Sequence, residues 1–481
     1  MKRFVALPLA VCLLSLVYLV SACSSSNQEA DKPVVKAVAD QKQNQDEKQE
    51  QKNQGTAVPD WSEKAVMYEV NVRQYSKEGT FKAFEAHLPR LKELGVDILW
   101  FMPIHPISKK NRNGTLGSYY AVDDYKAVNP EFGTEEDFRA LVNKAHEMGF
   151  KVMLDWVANH TGWDNPWTAN PGWYSTDENG HIMQPAGTNW TDVADLNYDS
   201  ADMQAAMIDA LKYWVAEFDI DGYRCDYAGG VPTAFWEKAR AELEQIKPVY
   251  MLAEDDQQIG LLKHAFNSNY GWQLYNMMNR IAKGLGNAEQ VKKYGERLAK
   301  TYPSGTYPLN FTSNHDENSW TGTEYERLKD AVKPMAALSF LMPGMPLIYS
   351  GQEAGLNKRL QFFEKDEIAW NDTSTSSSMS TLYTDLIRLK HDNPALWNGK
   401  SGGAYRTLAV GDNGDILAFE RTKDANTVIV VMNLSGEPVK STIQTGEAAG
   451  SYKAFPSGAA VDVQAEQAVE LAPWEYQIYT R

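Results

Sequence analysis

The stretch Asp221-Gly222-Tyr223-Arg224-Cys225-Asp226 sets an arginine two residues before a carboxylate at the end of a short apolar run. Side chains at i and i+2 of a strand share a face, so Arg224 can hold Asp226 ionised by charge and hydrogen bonding. Two further acids end comparable runs: Glu254 closes Val249-Tyr250-Met251-Leu252-Ala253, and Asp316 closes Leu309-Asn310-Phe311-Thr312-Ser313-Asn314-His315. In a parallel α/β barrel the strand ends meet at one face, so three carboxylates distant in sequence can converge. Converging carboxylates suggest glycosidic-bond chemistry, in which an ionised group attacks the anomeric carbon and a protonated one releases the leaving oxygen, about 5 Å away when configuration is retained. Singly, each acid is better explained as a helix cap or salt-bridge partner; only the joint pattern points to catalysis.

The elements that would position them alternate from Trp61 onward. Ala65 to Val72 is strand-like, Phe81 to Leu94 has helical apolar spacing and ends at Gly95, and Val96 to Met102 is an apolar run closing at Pro103. Thr134 to Met148 reads as a helix capped by Thr134 with Asp137 three residues on, and Lys151 to Trp156 as a strand. Ala201 to Phe218, Asp221 to Asp226, Thr233 to Ile246, Val249 to Glu254, Leu309 to Ser313, Leu328 to Leu341 and Pro346 to Ser350 continue the rhythm. About eight strand-helix repeats without a Gly-rich phosphate loop favour a closed barrel over an open doubly wound sheet. Thr161 to about Ser200 breaks the rhythm after the third strand; it is Gly/Pro/Asn-rich and carries Trp163, Trp167, Trp173 and Trp190, and a loop of that length is usually functional. From about Gly399, short alternating runs between Gly, Asn and Asp turns predict an antiparallel β-sandwich.

A net charge of -16 over 481 residues, with no long basic stripe, argues against nucleic acid as a partner, whereas 14 Trp and 24 Tyr offer flat faces suited to sugar rings. At the amino end Lys2 and Arg3 precede the apolar run Phe4 to Val20, which ends in Val20-Ser21-Ala22-Cys23. That order resembles the lipobox of bacterial lipoproteins, in which the cysteine is lipidated. It implies a signal over 1–22, lipidation at Cys23, and a cell-envelope, lipid-anchored location outside the cytoplasm, with the outer membrane as the expected one. Residues 23–58 are rich in Ser, Gln, Lys and Glu and read as a solvated tether. With Cys12 lost and Cys23 lipidated, Cys225 has no partner for an intramolecular disulfide.

Four blocks, Asp155-Trp156-Val157-Ala158-Asn159-His160, Gly222-Tyr223-Arg224-Cys225-Asp226, Ala253-Glu254 and Asn314-His315-Asp316, resemble those of the α-amylase family of glycoside hydrolases, in the family's order. Val193-Ala194-Asp195-Leu196-Asn197 resembles a further block in the loop after the third strand, and the similarity covers roughly Trp61 to Arg481. The resemblance implies a (β/α)8 TIM barrel over 59–398 with a small inserted domain at 161–200 and a terminal β-sandwich over 399–481. It implies Asp226 as nucleophile, Glu254 as acid/base and Asp316 as the group that binds substrate hydroxyls and favours the transition state. Arg224, His160, His315 and Tyr120 would bind or orient substrate, with Asp155 supporting Arg224. No cofactor is implied for the chemistry; a structural calcium is, through Asn159 and Asp195, although the metal site is left open. After the nucleophile stand Tyr227-Ala228-Gly229-Gly230 in place of the Lys-His common in α-amylases, which leaves strict starch endo-hydrolysis in doubt. The expected activity is retaining cleavage of α-1,4 bonds in starch-like glucans or maltooligosaccharides. An α-glucosidase, neopullulanase-like or transglycosylating relative is the alternative among enzymes, and a non-catalytic surface glycan-binding protein the alternative outside them.

Overall fold

Strands β1 (Met67–Val70), β2 (Ile98–Phe101), β3 (Lys151–Val157), β4 (Gly222–Asp226), β5 (Tyr250–Ala253), β6 (Ser268–Tyr270), β7 (Tyr307–Asn310) and β8 (Met345–Tyr349) close into a barrel in sequence order, β8 pairing back onto β1. Every pairing is parallel. The computed structural model describes residues 55–370 and 374–481. The signal, Cys12, Cys23 and nearly all of the tether lie outside the described residues.

Parallel strands covered on both faces can be apolar throughout, and Ile98–Phe101, Tyr250–Ala253 and Met345–Tyr349 are. The barrel interior is filled by Met67, Ile98, Trp100, Met153, Leu252, Leu309 and Leu347, all buried. One step nearer the carboxyl ends the inward positions turn charged, with Glu69 two residues after Met67, Asp155 two after Met153, and Arg224 two after Gly222. Gly222 has a steric reason: a Cβ there would come within 2.0 Å of the Tyr250 carbonyl oxygen, so only glycine lets β4 lie this close to β5.

Four local expectations differ from what is found, one being the run Leu328 to Leu341, which is the end of the helix Glu324–Leu328, a 3-10 turn and the helix Val332–Leu341. The first strand is shorter than Ala65 to Val72, because the Asn71 side chain accepts from Gln74 N and starts a helical turn at Val72–Tyr75. The helix expected over Phe81 to Leu94 is two, Phe81–Glu85 and Leu88–Leu94, the second carrying Pro89 in its first turn, where the missing N–H does no harm. β6 is absent from the sequence reading. It is only three residues long and polar, and its neighbour Asn267 is fully buried, accepting from Met251 N at 2.8 Å and Arg240 Nη1 at 2.9 Å. A strand whose polar groups are satisfied internally leaves no apolar signature. By contrast the capping box of Thr134 and Asp137 forms as read and starts the helix Glu135–Glu147.

After the helix Ser374–Asp392 come two antiparallel sheets. Six strands (Ala404–Thr407, Ile416–Lys423, Asn426–Asn433, Tyr476–Thr480, Gly450–Phe455, Ala460–Val463) form one; Ala409–Val410, Val439–Gln444 and Glu466–Leu471 form the other. Ile429, Val431, Ile443 and Leu471 fill the space between them. The buried Arg421 fixes this unit to the barrel, donating to the Leu341 carbonyl at 3.3 Å. At the other end, residues read as the last of the tether are already docked: Thr56 N donates to the Leu262 carbonyl at 3.1 Å, and Arg240 Nη2 to the Ala57 carbonyl at 3.2 Å.

Candidate active site

Arg224 is the hub of the barrel's carboxyl-end face. It is fully buried, its Nη1 donating to Asp155 Oδ1 and Asp226 Oδ1, each at 2.9 Å, and its Nε to the Tyr270 hydroxyl at 3.1 Å. Its Nη2 lies 2.6 Å from Glu254 Oε1, an ion contact whose direction is too poor for a hydrogen bond. Asp155 sits directly across the β3–β4 ladder from Arg224, which explains how a buried guanidinium finds a counter-ion at strand distance. Trp100, Tyr120 and Tyr270 surround the cation, with ring centroids 5.2, 5.7 and 5.5 Å from its central carbon.

The three acids singled out in the sequence come together here. Asp226 is the last residue of β4, and Glu254 follows β5 directly, its Oε2 accepting from Tyr227 N at 2.8 Å. Asp316 stands six residues beyond the end of β7, not on the strand, and its Oδ2 is 3.3 Å from His315 Nε2. The side chains of Asp226, Glu254 and Asp316 keep 14, 18 and 39% of their surface open, so substrate can reach all three. All three line one cleft of about 780 Å³, together with Tyr120, His160 and Trp190. That volume is ordinary for a ligand cleft.

Electrostatics separate the acids. Burial pushes the Glu254 carboxyl up to about 7, Arg224 opposing and the Asp226 and Asp316 charges adding to it. Burial also raises Asp226, to about 6, with Arg224 restraining the rise. Asp316 goes the other way: burial would raise it, but His315 beside it holds it below the usual carboxylate value, and water in the cleft tempers the shift. The group most easily kept protonated is therefore Glu254, and Asp226 ionises before it.

Tyr120 and His315 lie together, rings stacked at 5.4 Å, with the Tyr120 hydroxyl 2.7 Å from His315 Nε2 and donating to Asp155 Oδ2 at 3.0 Å. Burial opposes charge on His315, but Asp316 and Glu69 more than offset it and push it well above the ordinary imidazole value. On His160 burial outweighs the opposing pull of Asp192 and Asp195 and lowers it to about 4, leaving it neutral beside Trp190 with ring centroids 5.6 Å apart.

Sequence reasoning missed several residues of this face. Glu69 contacts His315, and Trp320, 56% exposed, packs on Phe362 with centroids 5.3 Å apart at the cleft edge. Tyr227 is 45% exposed and adopts φ 42°, a left-handed conformation uncommon for an aromatic residue, with its ring 5.5 Å from Trp190. The lone acid in Met67-Tyr68-Glu69-Val70, in phase with Met67, was the one signal available for Glu69.

Comparison with known proteins decides the family. Residues 39–181 and 188–429 match the catalytic domain of α-amylases, and residues 405–478 match the C-terminal domain of maltogenic amylases. The chain belongs to the α-amylase family of glycoside hydrolases. It is 28% identical over 411 residues to the α-amylase MalA of Haloarcula japonica, covering 81% of this chain and 58% of that protein's length. Among solved structures, an α-amylase from Lactobacillus plantarum is 31% identical with a TM-score of 0.77, covering 88% of this chain and 99% of that one. The maltogenic α-amylase AmyB from Thermotoga neapolitana is 27% identical with a TM-score of 0.78, covering 87% and 98%.

The calcium expectation rests on Asn159 and Asp195. The hairpin of His160–Gly162 with Val193–Asp195 sets His160 opposite Asp195, and Asn159 Nδ2 is 3.3 Å from His160 Nδ1. Calcium wants about six to eight oxygens. Among the described residues no three His, Cys, Asp or Glu side chains gather as a metal site. Asn159 and Asp195 offer two side-chain groups toward that number, so a calcium held here would take its other oxygens from backbone carbonyls and water.

Proposed function

We propose that this α-amylase family member hydrolyses α-1,4-glucosidic bonds of starch-like glucans or maltooligosaccharides with retention, through Asp226 and Glu254. The observation that carries the reading is the double hold of Arg224 on both carboxylates, Nη1 on Asp226 and Nη2 against Glu254. Acids sharing one guanidinium fit the short separation of a retaining pair better than the wider gap that admits a water between them. Among the described residues no protein group donates to Asp226 Oδ2, which leaves that oxygen free to attack. As it bonds to the anomeric carbon, the bond to the leaving oxygen breaks and that oxygen takes the Glu254 proton. Glu254, now ionised, removes a proton from water; the water oxygen bonds to the anomeric carbon, the ester to Asp226 breaks, and both carboxyl groups return to their starting states. Asp316 and the charged His315 hold sugar hydroxyls, and Tyr120 offers its ring. A binding-only descendant would have no need of all three carboxylates.

Tyr227 favours a second reading within the same chemistry. Its N–H holds Glu254 and its exposed ring meets Trp190, so an aromatic corner stands on the acid's side of the cleft, where the leaving or accepting sugar must lie. A sugar held there competes with water for the glycosyl intermediate, which supports transglycosylation or action on short oligosaccharides. Products from amylose, pullulan, cyclodextrin and maltotriose test both readings. Random shortening of amylose supports endo-hydrolysis; oligosaccharides longer than the maltotriose supplied support transfer; failure on all four would reject α-glucan as substrate.

The tryptophans of the 161–200 loop divide accordingly. Trp190 lines the cleft, whereas Trp167 packs on Tyr125 and Trp173 with centroids 4.9 and 5.3 Å apart. Trp190→Ala should raise KM for long maltooligosaccharides several-fold with kcat nearly kept, and Trp167→Ala should lower Tm by several degrees with KM kept. Both effects falling on one residue would contradict this division. For attachment, we propose lipidation at Cys23: Cys23→Ser should leave the protein soluble after cell fractionation, and retention with membranes after a high-salt wash would point to another anchor.

A further inference from the structure

Glu69 is a fully buried acid on β1 whose position no sugar contact explains. Its Oε1 lies 2.5 Å from His315 Nδ1, and its buried Oε2 has no hydrogen-bond partner among the described residues. A buried carboxylate is costly unless something needs its charge. His315 does. Its second nitrogen faces two acceptors at once, Asp316 Oδ2 at 3.3 Å and the Tyr120 hydroxyl at 2.7 Å. Tyr120 in turn donates to Asp155, and Asp155 accepts from the Arg224 nitrogen that also holds Asp226. For this chain to run in one direction, Nε2 must carry a proton and donate it. A neutral imidazole protonated only on Nδ1 would break the chain at Tyr120 and turn a lone pair toward Asp316.

We propose that Glu69 is a positioning residue that keeps His315 doubly protonated, so that its Nε2–H always points at the Asp316 and Tyr120 side of the cleft. This deepens the proposed function and rests on it for its catalytic consequence. The charged and titratable groups around His315 are Asp316 on its own segment, Glu69 from β1, Tyr120 from the loop after β2, and beyond them Asp155, Arg224 and Tyr349, the last opposite Glu69 in the β1–β8 register. Of these, Glu69 alone contacts Nδ1. Its anionic charge and that of Asp316 both favour the imidazolium and outweigh the opposing effect of burial.

Glu69→Gln keeps the shape and removes the charge. The sign is fixed: losing an anion beside His315 lowers its proton affinity, so the ring loses its charge at a lower pH than in the wild type. The His315 Cε1–H resonance, assigned by its loss in His315→Asn, should titrate well above the ordinary imidazole range in the wild type and at lower pH in Glu69→Gln. On maltotriose, kcat of Glu69→Gln should fall about 10- to 100-fold, the scale for losing a buried orienting partner. Its alkaline limb, set in the wild type by Glu254, should move to lower pH once His315 titrates below Glu254, and Glu69→Asp should recover part of the rate. A wild-type His315 that titrates near the ordinary imidazole value overturns the proposal even if Glu69→Gln fails to fold. So does a folded Glu69→Gln with wild-type rate, limb and titration. If the wild type cleaves no α-glucan yet His315 titrates as stated, the dyad stands and the proposed function falls.

Discussion

Asp226→Asn should fold with a near-normal melting temperature and lose about 10⁴-fold or more in kcat on maltooligosaccharides, the scale seen when an enzyme loses its nucleophile. The amide keeps the size of the carboxylate and can still accept from Arg224 Nη1 through its oxygen, so the buried cation is not abandoned. Asp155 continues to balance Arg224 from β3, 2.9 Å away. What disappears is the nucleophile, since an amide oxygen is a far weaker one than a carboxylate and its adduct cannot collapse as an ester does. Thermal melts and steady-state kinetics check both halves. Turnover within tenfold of wild type would remove Asp226 from the role.

Glu254→Gln should show the second largest loss, and its dependence on the leaving group is the diagnostic feature. A positioned general acid contributes about 10² to 10⁴-fold, most where the departing oxygen is a sugar hydroxyl and least for an acidic phenol. Maltotriose should suffer most, and a nitrophenyl maltooligoside much less in its first step. The pH profile gives an independent check. The proposed mechanism needs Asp226 ionised, so activity should rise as pH climbs through a value near 6, and needs Glu254 protonated, so activity should fall through a value near 7. The two titrate as a pair, and the wild type should give a narrow bell between those values. Glu254→Gln should lose the alkaline limb and keep the acid one, because glutamine has no proton to lose. A variant that keeps the full bell would show that another group supplies the acid.

Much of this site was legible because strand parity is a strong constraint. Arg224 and Asp226 had to share a face, and Glu254 had to emerge at the same end of the barrel once its run was read as parallel strand. Asp316 lines the same cleft although its strand ends six residues earlier at Asn310, because the segment that follows β7 leaves the barrel at its carboxyl end. The residues that escaped are those whose roles arise across strands. Glu69 lies in a run that otherwise looks like ordinary core, and only the fold brings it to His315, 246 residues away. Trp320, in the short helix Glu317–Thr321, and Phe362 come from separate segments and meet only because both rim the cleft. β6 was invisible for a related reason: its polar side chains Ser268 and Asn269 accept from the hydroxyls of Tyr250 and Tyr302, Asn267 before it accepts from Arg240 and Met251 N, and no composition rule rewards that. Pro89 shows the converse, a local signal present in the sequence that marked the start of a helix inside an apolar pattern that looked continuous.

The central claim is that Asp226 and Glu254 act by double displacement, and the anomeric configuration of the first-formed product tests it most directly. Proton NMR of a maltooligosaccharide digest, recorded before mutarotation equilibrates the new reducing end, separates the two anomers. Attack by Asp226 followed by attack of water inverts the anomeric carbon twice, so the account predicts that the α-anomer appears first and the β-anomer only by slow mutarotation. Early accumulation of the β-anomer would mean a single displacement by water, and would contradict the assignment of Asp226 as nucleophile.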